Sequence, residues 1–462
     1  VTLVAVRTFD VIVIGAGPAG EVAAGRLAER GGRDVAIVER ELVGGECSFY
    51  ACMPSKALLR PQEVLAETAR VPGAAEALAG HGVVVAAALA RRDEVIHELD
   101  DSGQVPWLAS RGVTIVRGAA RLDGERRVRV GEELLEAREA VIVAAGSTAF
   151  MPPIPGLTGA EPWCNREITT ASEVPRGLLV LGGGAVGVEM AQAWRSLGSE
   201  VTIVEGGERL LAREEPFAGE EVGASLASRG VEIRTGVTAT RVARSADGAI
   251  ELRLDDGSSL AGDRLLVAVG RRPRTTELGV ETVGLEPGRP VEVDDTLRVA
   301  GKPWLYAIGD VNGRAQLTHM GKYQARVAAD RILGDEHARI EVDGLRSPRV
   351  IFTDPNVAAT GHTLASALDA GLAARAIDMP TSSTAGSSFV GRGAPGTTRF
   401  VVDTARDVLV GATFVGPEVA DFAQAATVAI VGEVALSRLV HAVAPFPARS
   451  ELWLKFLEAY GL

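Results

Sequence analysis

One layout occurs twice in this chain and constrains its fold more than any other feature. An apolar run ends in a Gly-rich turn, an Ala-rich helical stretch follows, and a second apolar run closes on an acid. The first copy is Phe9-Asp-Val-Ile-Val-Ile into Gly15-Ala-Gly17-Pro-Ala-Gly20, with the next run spanning Asp34 to Glu39. About 170 residues on, Gly177-Leu-Leu-Val-Leu enters Gly182-Gly-Gly184-Ala-Val-Gly187, helical Ala185 to Leu197, and a run from Val201 to Glu205. Short apolar runs alternating with helices indicate parallel strands joined by crossovers. Finding the unit twice predicts an α/β protein with two Rossmann-like dinucleotide-binding domains.

The chemistry of the turns follows from their residues. Glycines permit a tight turn and a close backbone approach, the helix N-terminus faces a pyrophosphate, and the distal acid accepts from ribose hydroxyls. Glu39 and Glu205 occupy that distal place. A carboxylate at Glu205 repels a 2′-phosphate and favours NADH over NADPH. Arg209, four residues on, could soften that preference. Two such turns imply two dinucleotides, one held tightly and one exchanging.

The 462 residues have room for roughly two to four domains. Pro- and Gly-rich Met151-Pro-Pro-Ile-Pro-Gly-Leu reads as entry to the second unit, and Gly270-Arg-Arg-Pro-Arg-Thr as its exit. Beyond about residue 345 the texture changes. Phe400-Val-Val-Asp and Val408-Leu-Val-Gly-Ala-Thr-Phe read as antiparallel strands, followed by helical Phe422 to Val431, a third, α+β domain. Gly and Ser around residues 381–397 read as a mobile loop. The expected domains are 1–150 completed by 271–345, then 151–270, then 346–462. A net charge of −12 argues against nucleic acid or an anionic membrane as partner. The longest apolar run, Val83 to Ala90, is far short of the ~20 residues of a membrane span. No secretory signal pattern opens the chain, and three cysteines cannot build an extracellular disulfide framework. A cytoplasmic location is expected. Only four of the 48 basic residues are lysines, so each lysine invites inspection.

Between the two turns lies Gly44-Gly45-Glu46-Cys47-Ser-Phe-Tyr-Ala-Cys52-Met-Pro-Ser-Lys56. Five residues of ideal helix rise about 7.5 Å, whereas a disulfide tolerates Cα separations only to about 7 Å. The backbone must therefore distort for the cysteines to bridge, as it can at a helix start, where a thiol also loses its proton more readily. A redox pair is one reading. Metal binding is the other, but it wants further Cys or His ligands at short spacing, and none follow. Cys164 reads as a lone thiol.

In the order of its motifs the chain resembles the class I pyridine nucleotide-disulfide oxidoreductases, the flavoprotein family of dihydrolipoamide dehydrogenase, glutathione reductase and mercuric reductase. The likeness extends through Ala145-Gly146-Ser147, Val269-Gly270-Arg-Arg-Pro, Leu305-Tyr-Ala-Ile-Gly309-Asp310, Leu317-Thr-His319, Gly187-Val-Glu189-Met and Phe352-Thr-Asp-Pro355. The resemblance implies FAD on the first unit, held by Gly15, Gly17, Gly20, Glu39, Gly45, Glu46, Lys56, Ala119, Gly146, Gly309, Asp310, Leu317 and His319, with Asp310 on the ribitol. It implies NAD(P)H on Gly182, Gly184, Gly187, Glu205 and Gly270, and a homodimer formed by the last domain. Cys52 becomes the flavin-side thiol, Cys47 the interchange thiol, and Lys56 pairs with Glu189 beside the flavin, where it stabilises negative charge. Electrons then run from NADH through flavin to the sulfurs and on to a small-molecule acceptor.

The likeness fails chiefly at the C-terminal signature. The family closes on a His-Pro-Thr-x-Ser-Glu signature whose His, from the partner subunit, moves the proton of the interchange thiol. Here the stretch is Ala444-Pro-Phe446-Pro-Ala-Arg-Ser-Glu451. Pro447, Ser450 and Glu451 keep their places, but Phe446 can neither accept nor donate a proton. General acid–base help is worth ~10²–10⁴ in rate, so efficient reduction of a simple disulfide is not expected. A phenylalanine would instead desolvate the thiols. The carboxylating relative 2-ketopropyl-coenzyme M oxidoreductase/carboxylase shares this Phe but has His where this chain has Glu451. His441 would reach the site only through an unusual bend. Three alternatives accompany the thiol route: direct electron transfer from flavin to a quinone, C–S cleavage with carboxylation, and a non-catalytic redox-sensing role. Glu46 and Phe49-Tyr50 also depart from the commoner Thr and Asn-Val.

Overall fold

The computed structural model describes residues 6–78, 80–246 and 248–462. The chain forms two compact units and passes between them five times, at Pro54–Ser55, Arg92–Asp93, Phe150–Met151, Gly270–Arg271 and Gly344–Leu345.

In the first unit (Val1–Pro54, Asp93–Phe150 and Arg271–Gly344) the sequence unit appears as strand β1 (Val6–Ile14), helix α1 (Pro18–Gly31) and strand β2 (Val35–Glu39). β1 is central. It pairs in parallel with β2, Val11 opposite Val35, and with Glu133–Val143, Ile12 opposite Val141. Val113–Arg117 extends the sheet beyond β2, and Lys302–Ala307 beyond Glu133–Val143, both in parallel. Val11, Ile12 and Val13 are fully buried, because both faces of the sheet are covered: Val11 and Val13 lie under α1 and the helix Thr318–Ile332, and Ile12 packs with Leu122, Val128 and Val280 on the other side. α1 turns Ala23, Ala24 and Leu27 inward. The helix Thr318–Ile332 lies parallel to it, and the two are in register at three levels. A Cβ on Gly321 would meet Ala19 Cβ at 3.3 Å, Arg26 forks onto Asp330 at 2.6 and 2.5 Å, and Gly31 abuts Leu333.

In the second unit (Ser55–Arg92, Met151–Gly270 and Leu345–Leu462) the repeat forms a parallel sheet ordered Glu232–Thr235, Glu200–Glu205, Gly177–Leu181, Arg264–Val267, with helix Ala185–Ser196 after the glycine turn. A three-stranded antiparallel meander runs through Ala239–Arg244, Ile250–Leu254 and Ser259–Gly262. The C-terminal part is a five-stranded sheet in which Thr397–Asp403 and Val408–Gly416 pair antiparallel, Thr398 opposite Phe414, as their alternation predicts. Helices Phe422–Val431 and Leu452–Tyr460 cover it. Phe400 stacks on Phe456 with centroids 4.3 Å apart and meets Phe414 edge-on at 5.5 Å, so full burial of each ring contributes roughly 2–3 kcal/mol.

Residues 381–397, expected from their Gly and Ser content to be mobile, are instead tied in. Thr381 Oγ1 donates to Val415 O at 2.6 Å, Thr384 and Ser387 hydroxyls pair at 2.9 Å, and Gly386 lies against the Ala448 backbone with no room for a Cβ. Small polar residues here close buried hydrogen bonds rather than loosen a loop. Among the described residues, no helix is long and apolar enough to cross a membrane.

Candidate active site

Both glycine turns assign the same duties to their three glycines. Gly15 has φ +103°, and a Cβ there would strike Ala144 O at 2.5 Å; one on Gly20 would lie 1.9 Å from Gly15 O. Gly182 and Gly187 repeat this against Ala268 O (2.6 Å) and Gly182 O (1.9 Å). The first and third glycines thus seat the helix on the strand, while the middle one faces open space. Among the described residues, nothing stands within 4 Å of a Cβ on Gly184, and only Gly45 Cα, at 4.0 Å, approaches one on Gly17. Each acid caps its own turn. Glu39 accepts from Ala16 N–H and Glu41 N–H, both at 2.8 Å, and Glu205 from Gly183 N–H at 2.6 Å and Gly207 N–H at 2.7 Å. Bare backbone at a helix N-terminus beside a fixed carboxylate suits a pyrophosphate flanked by ribose hydroxyls, so the residues fit a dinucleotide at both turns. Arg209, which could have reached a 2′-phosphate, donates to the carbonyls of Leu211, Ala212 and Glu214 at 2.9–3.1 Å.

The cysteine segment folds as two helices. A short α2 (Gly45–Phe49) ends at Tyr50, and α3 (Cys52–Arg70) begins at the second cysteine. This break supplies the distortion that the five-residue spacing requires. The sulfurs are in hydrogen-bonding rather than covalent contact. Thr318 Oγ1 donates to Cys47 Sγ at 3.1 Å and lies 3.3 Å from Cys52 Sγ, so one hydroxyl touches both. The Cys52 sulfur and burial together hold the Cys47 thiol well above its ordinary range, with Thr318 and Lys322 pulling the other way. Among the described residues, no group of three or more His, Cys, Asp or Glu is placed to hold a metal ion.

Four residues past Cys52 on α3, Lys56 Nζ meets Glu189 Oε2 at 2.8 Å. The other carboxylate oxygen, Oε1, accepts from Phe352 N–H at 2.9 Å, and the ammonium lies 4.8 Å from the centre of the Phe352 ring. Glu189 is buried and fully engaged, which fixes where the ammonium stands.

Glu46, which stands where the family more commonly has Thr, has defined partners here. Its oxygens accept from Arg271 at 2.6 Å and Arg274 at 2.5 Å. Both guanidiniums also donate to Ser147 O, at 3.0 and 2.9 Å, and Arg271 Nε donates to Ser147 Oγ at 2.6 Å. Ser147 Oγ in turn donates to Asp310 Oδ2 at 2.5 Å. Burial raises the Asp310 carboxyl above its usual range, against the Ser147 hydroxyl and Arg271. One polar chain therefore ties the redox helix to the Gly-Arg-Arg-Pro-Arg segment and the Gly309-Asp310 turn. The sequence motifs that contain Ser147, Arg271, Arg274 and Thr318 carry no sign of these contacts, because their partners lie far away along the chain. Gly309 is pinned by its N–H to Gln324 Oε1 at 2.8 Å, whereas His319 and Ala119 are exposed.

The C-terminal signature segment contrasts with this. Phe446 is 77% exposed, as is most of the run from His441 to Pro447. Glu451 Oε2 is buried and, among the described residues, has no hydrogen-bond partner.

Comparison with known proteins bears on the whole chain. The description "pyridine nucleotide-disulphide oxidoreductase" matches residues 9–325, and that family's dimerisation domain matches residues 347–455. Dihydrolipoyl dehydrogenase of Thermus scotoductus is 34% identical, covering 98% of this chain and 97% of its own length. Mercuric reductase of Acidithiobacillus ferrooxidans is 31% identical over 95% of this chain and 80% of its own. Among solved structures, LpdA from Mycobacterium tuberculosis has a TM-score of 0.85 at 25% identity, covering 98% of this chain and all of its own. The HOCl-induced flavoprotein disulfide reductase RclA from Escherichia coli, at 24% identity and a TM-score of 0.84, shares the fold over 97% of this chain and 99% of its own. The chain belongs to the pyridine nucleotide-disulphide oxidoreductases, enzymes that use FAD and NAD(P)H, and it carries that family's dimerisation domain.

Proposed function

We propose that this protein is a homodimeric, NADH-preferring oxidoreductase that carries electrons through Cys47 and Cys52 to a small thiol-reactive acceptor that needs no imidazole for its proton. The observation that carries the reading is the pair of sulfurs gathered on the Thr318 hydroxyl. Bound FAD supplies two-electron exchange between a nicotinamide and the sulfurs. Gly15, Gly17, Gly20, Glu39, Gly45, Gly146, Gly309, Asp310, Leu317, His319 and Ala119 would hold it within 1–150 and 271–345. Glu46 keeps Arg271 and Arg274 in place there. Gly182, Gly184, Gly187, Glu205 and Gly270 would hold NADH within 151–270. The NADH preference rests on the Glu205 carboxylate and on an Arg209 whose donors are committed elsewhere. Lys56, fixed by Glu189, is the residue to which the family resemblance gives the positive charge beside the flavin. Residues 346–462 would form the dimer interface, and a cytoplasmic setting keeps the thiols reducible.

Phe446 carries the restriction on the acceptor. In the family's layout this position serves the partner's interchange thiol, and a benzyl group there excludes water without moving protons. The test is NADH oxidation against a panel of disulfides, quinones and thiophilic metal ions, before and after alkylation of the NADH-reduced protein. Alkylation is expected to abolish turnover with the preferred acceptor. Undiminished turnover after alkylation of both cysteines would overturn the thiol route.

A further inference from the structure

Without an imidazole, Cys47 needs another source of reactivity, because its thiol is half-buried against a second sulfur. The same unit contains one. Thr318, which touches both sulfurs, opens the helix Thr318–Ile332, and Lys322 stands one turn further on the same face. This is one of only four lysines in the chain. Among the described residues its ammonium has neither an ion pair nor a hydrogen bond, and it is exposed. The parallel helix α1 faces it. Gly321 packs on Ala19, with Lys322 the next residue along its helix and Glu21 two residues past Ala19 on α1. Glu21 Oε1 is buried and, among the described residues, has no hydrogen-bond partner.

We propose that Lys322 is the positioning cation that makes Cys47 reactive, holding its thiolate where relatives use an imidazole, and that Glu21 competes with Cys47 for that ammonium. The inference rests on the thiol route proposed above. Several observations converge on it. Lys322 acts electrostatically on both Cys47 and Glu21 and favours the ionised form of each. Burial pushes Glu21 up to about 7, with Lys322 opposing and the Glu39 carboxylate reinforcing the rise. The charged groups bearing on the pair are therefore Lys322 from the facing helix and Glu39 from β2. The other nearby cation on α1, Arg26, is committed to Asp330. Below about pH 7 a neutral Glu21 leaves the ammonium to Cys47. Above it, the Glu21 carboxylate draws the ammonium away. In the step concerned, the Cys47 S–H proton passes to solvent and the sulfur keeps the electron pair. No oxidant or reductant takes part.

The test uses the flavin-loaded dimer, reduced anaerobically with NADH, and follows the rate of iodoacetamide alkylation at Cys47 against pH by peptide mass spectrometry. In Lys322→Met the alkylation midpoint is expected at higher pH, with the rate at pH 7 reduced about tenfold. Lys322→Arg, which keeps the charge, is expected to restore most of that rate. Glu21→Gln is expected to move the midpoint to lower pH. A Lys322→Met profile that superimposes on the parent's would overturn the proposal. So would a loss in Lys322→Met that Lys322→Arg does not repair, since that marks a merely structural role. Failure of the underlying reading looks different: NADH would then leave Cys47 and Cys52 unlabelled in the parent protein itself.

Discussion

The cysteine segment and the C-terminal signature segment come from one family pattern and have fared differently. Around Cys47 and Cys52 the polar groups are engaged: a shared Thr318 hydroxyl, a Glu46 carboxylate between two guanidiniums, and a serine bridging to Asp310. The segment 444–451 keeps its proline, serine and glutamate but has a phenylalanine where the family pattern has its histidine, and Glu451 Oε2 is buried without a hydrogen bond among the described residues. In the function proposed above, the part that stores electrons on sulfur keeps its residues, whereas the part that moves protons in the family pattern has lost its histidine. On the proposed reading, the difference means that the two tasks can separate in this architecture, with the thiol's reactivity supplied from its own side.

Removing the intact half has the largest expected effect. Cys47→Ser or Cys52→Ser should lower NADH-dependent reduction of the preferred acceptor by on the order of 10³, measured as steady-state turnover. Retained activity would mean that the sulfurs are bystanders. Next is the clamp beside them. Glu46→Thr leaves Arg271 and Arg274 without their carboxylate, and the loss of two charge-assisted hydrogen bonds should cost about 2–3 kcal/mol in denaturant unfolding. An unchanged midpoint would reduce the network to surface decoration.

Repairing the other half sharpens the comparison. Phe446→His supplies an imidazole, and Glu451, with an unused buried oxygen, is available to orient it. Turnover with lipoamide should rise about tenfold or more, toward the ~10²–10⁴ range of general acid–base catalysis. No gain would show that the missing proton carrier is not what limits disulfide reduction. The smallest effect concerns Glu21. Its folded-state carboxyl titrates at about 7 rather than at the ordinary 4.5, so the stability it contributes is complete below 4.5 and is lost as pH rises through 7. Glu21→Gln should therefore be more stable than the parent by about 1–2 kcal/mol at pH 8 and indistinguishable from it near pH 4.5. Equal stability at both pH values would place Glu21 in water.

Much of this architecture can be read from local pattern. The twin glycine turns specify strand, turn and helix within a few residues, because backbone crowding at Gly15, Gly20, Gly182 and Gly187 permits nothing larger. The alternation in Phe400–Asp403 and Val408–Phe414 forecasts the antiparallel pair. What the sequence did not reveal are partners brought together over long separations. Glu46 meets arginines 225 and 228 residues away, and Thr318 reaches Cys47 across 271. Such pairs depend on how a sheet and two helices are stacked, and no periodicity encodes that. The loop at 381–397 was misjudged for a related reason. Small polar residues look loose in a sequence, and only the fold shows that Thr381 and Ser387 point inward.

The most direct measurement of the central claim is differential alkylation of the three cysteines before and after anaerobic addition of NADH, read by peptide mass. The account predicts that NADH exposes Cys47 and Cys52 together to the reagent while Cys164 labels equally in both samples. Consumption of NADH with no change at Cys47 and Cys52 would contradict it.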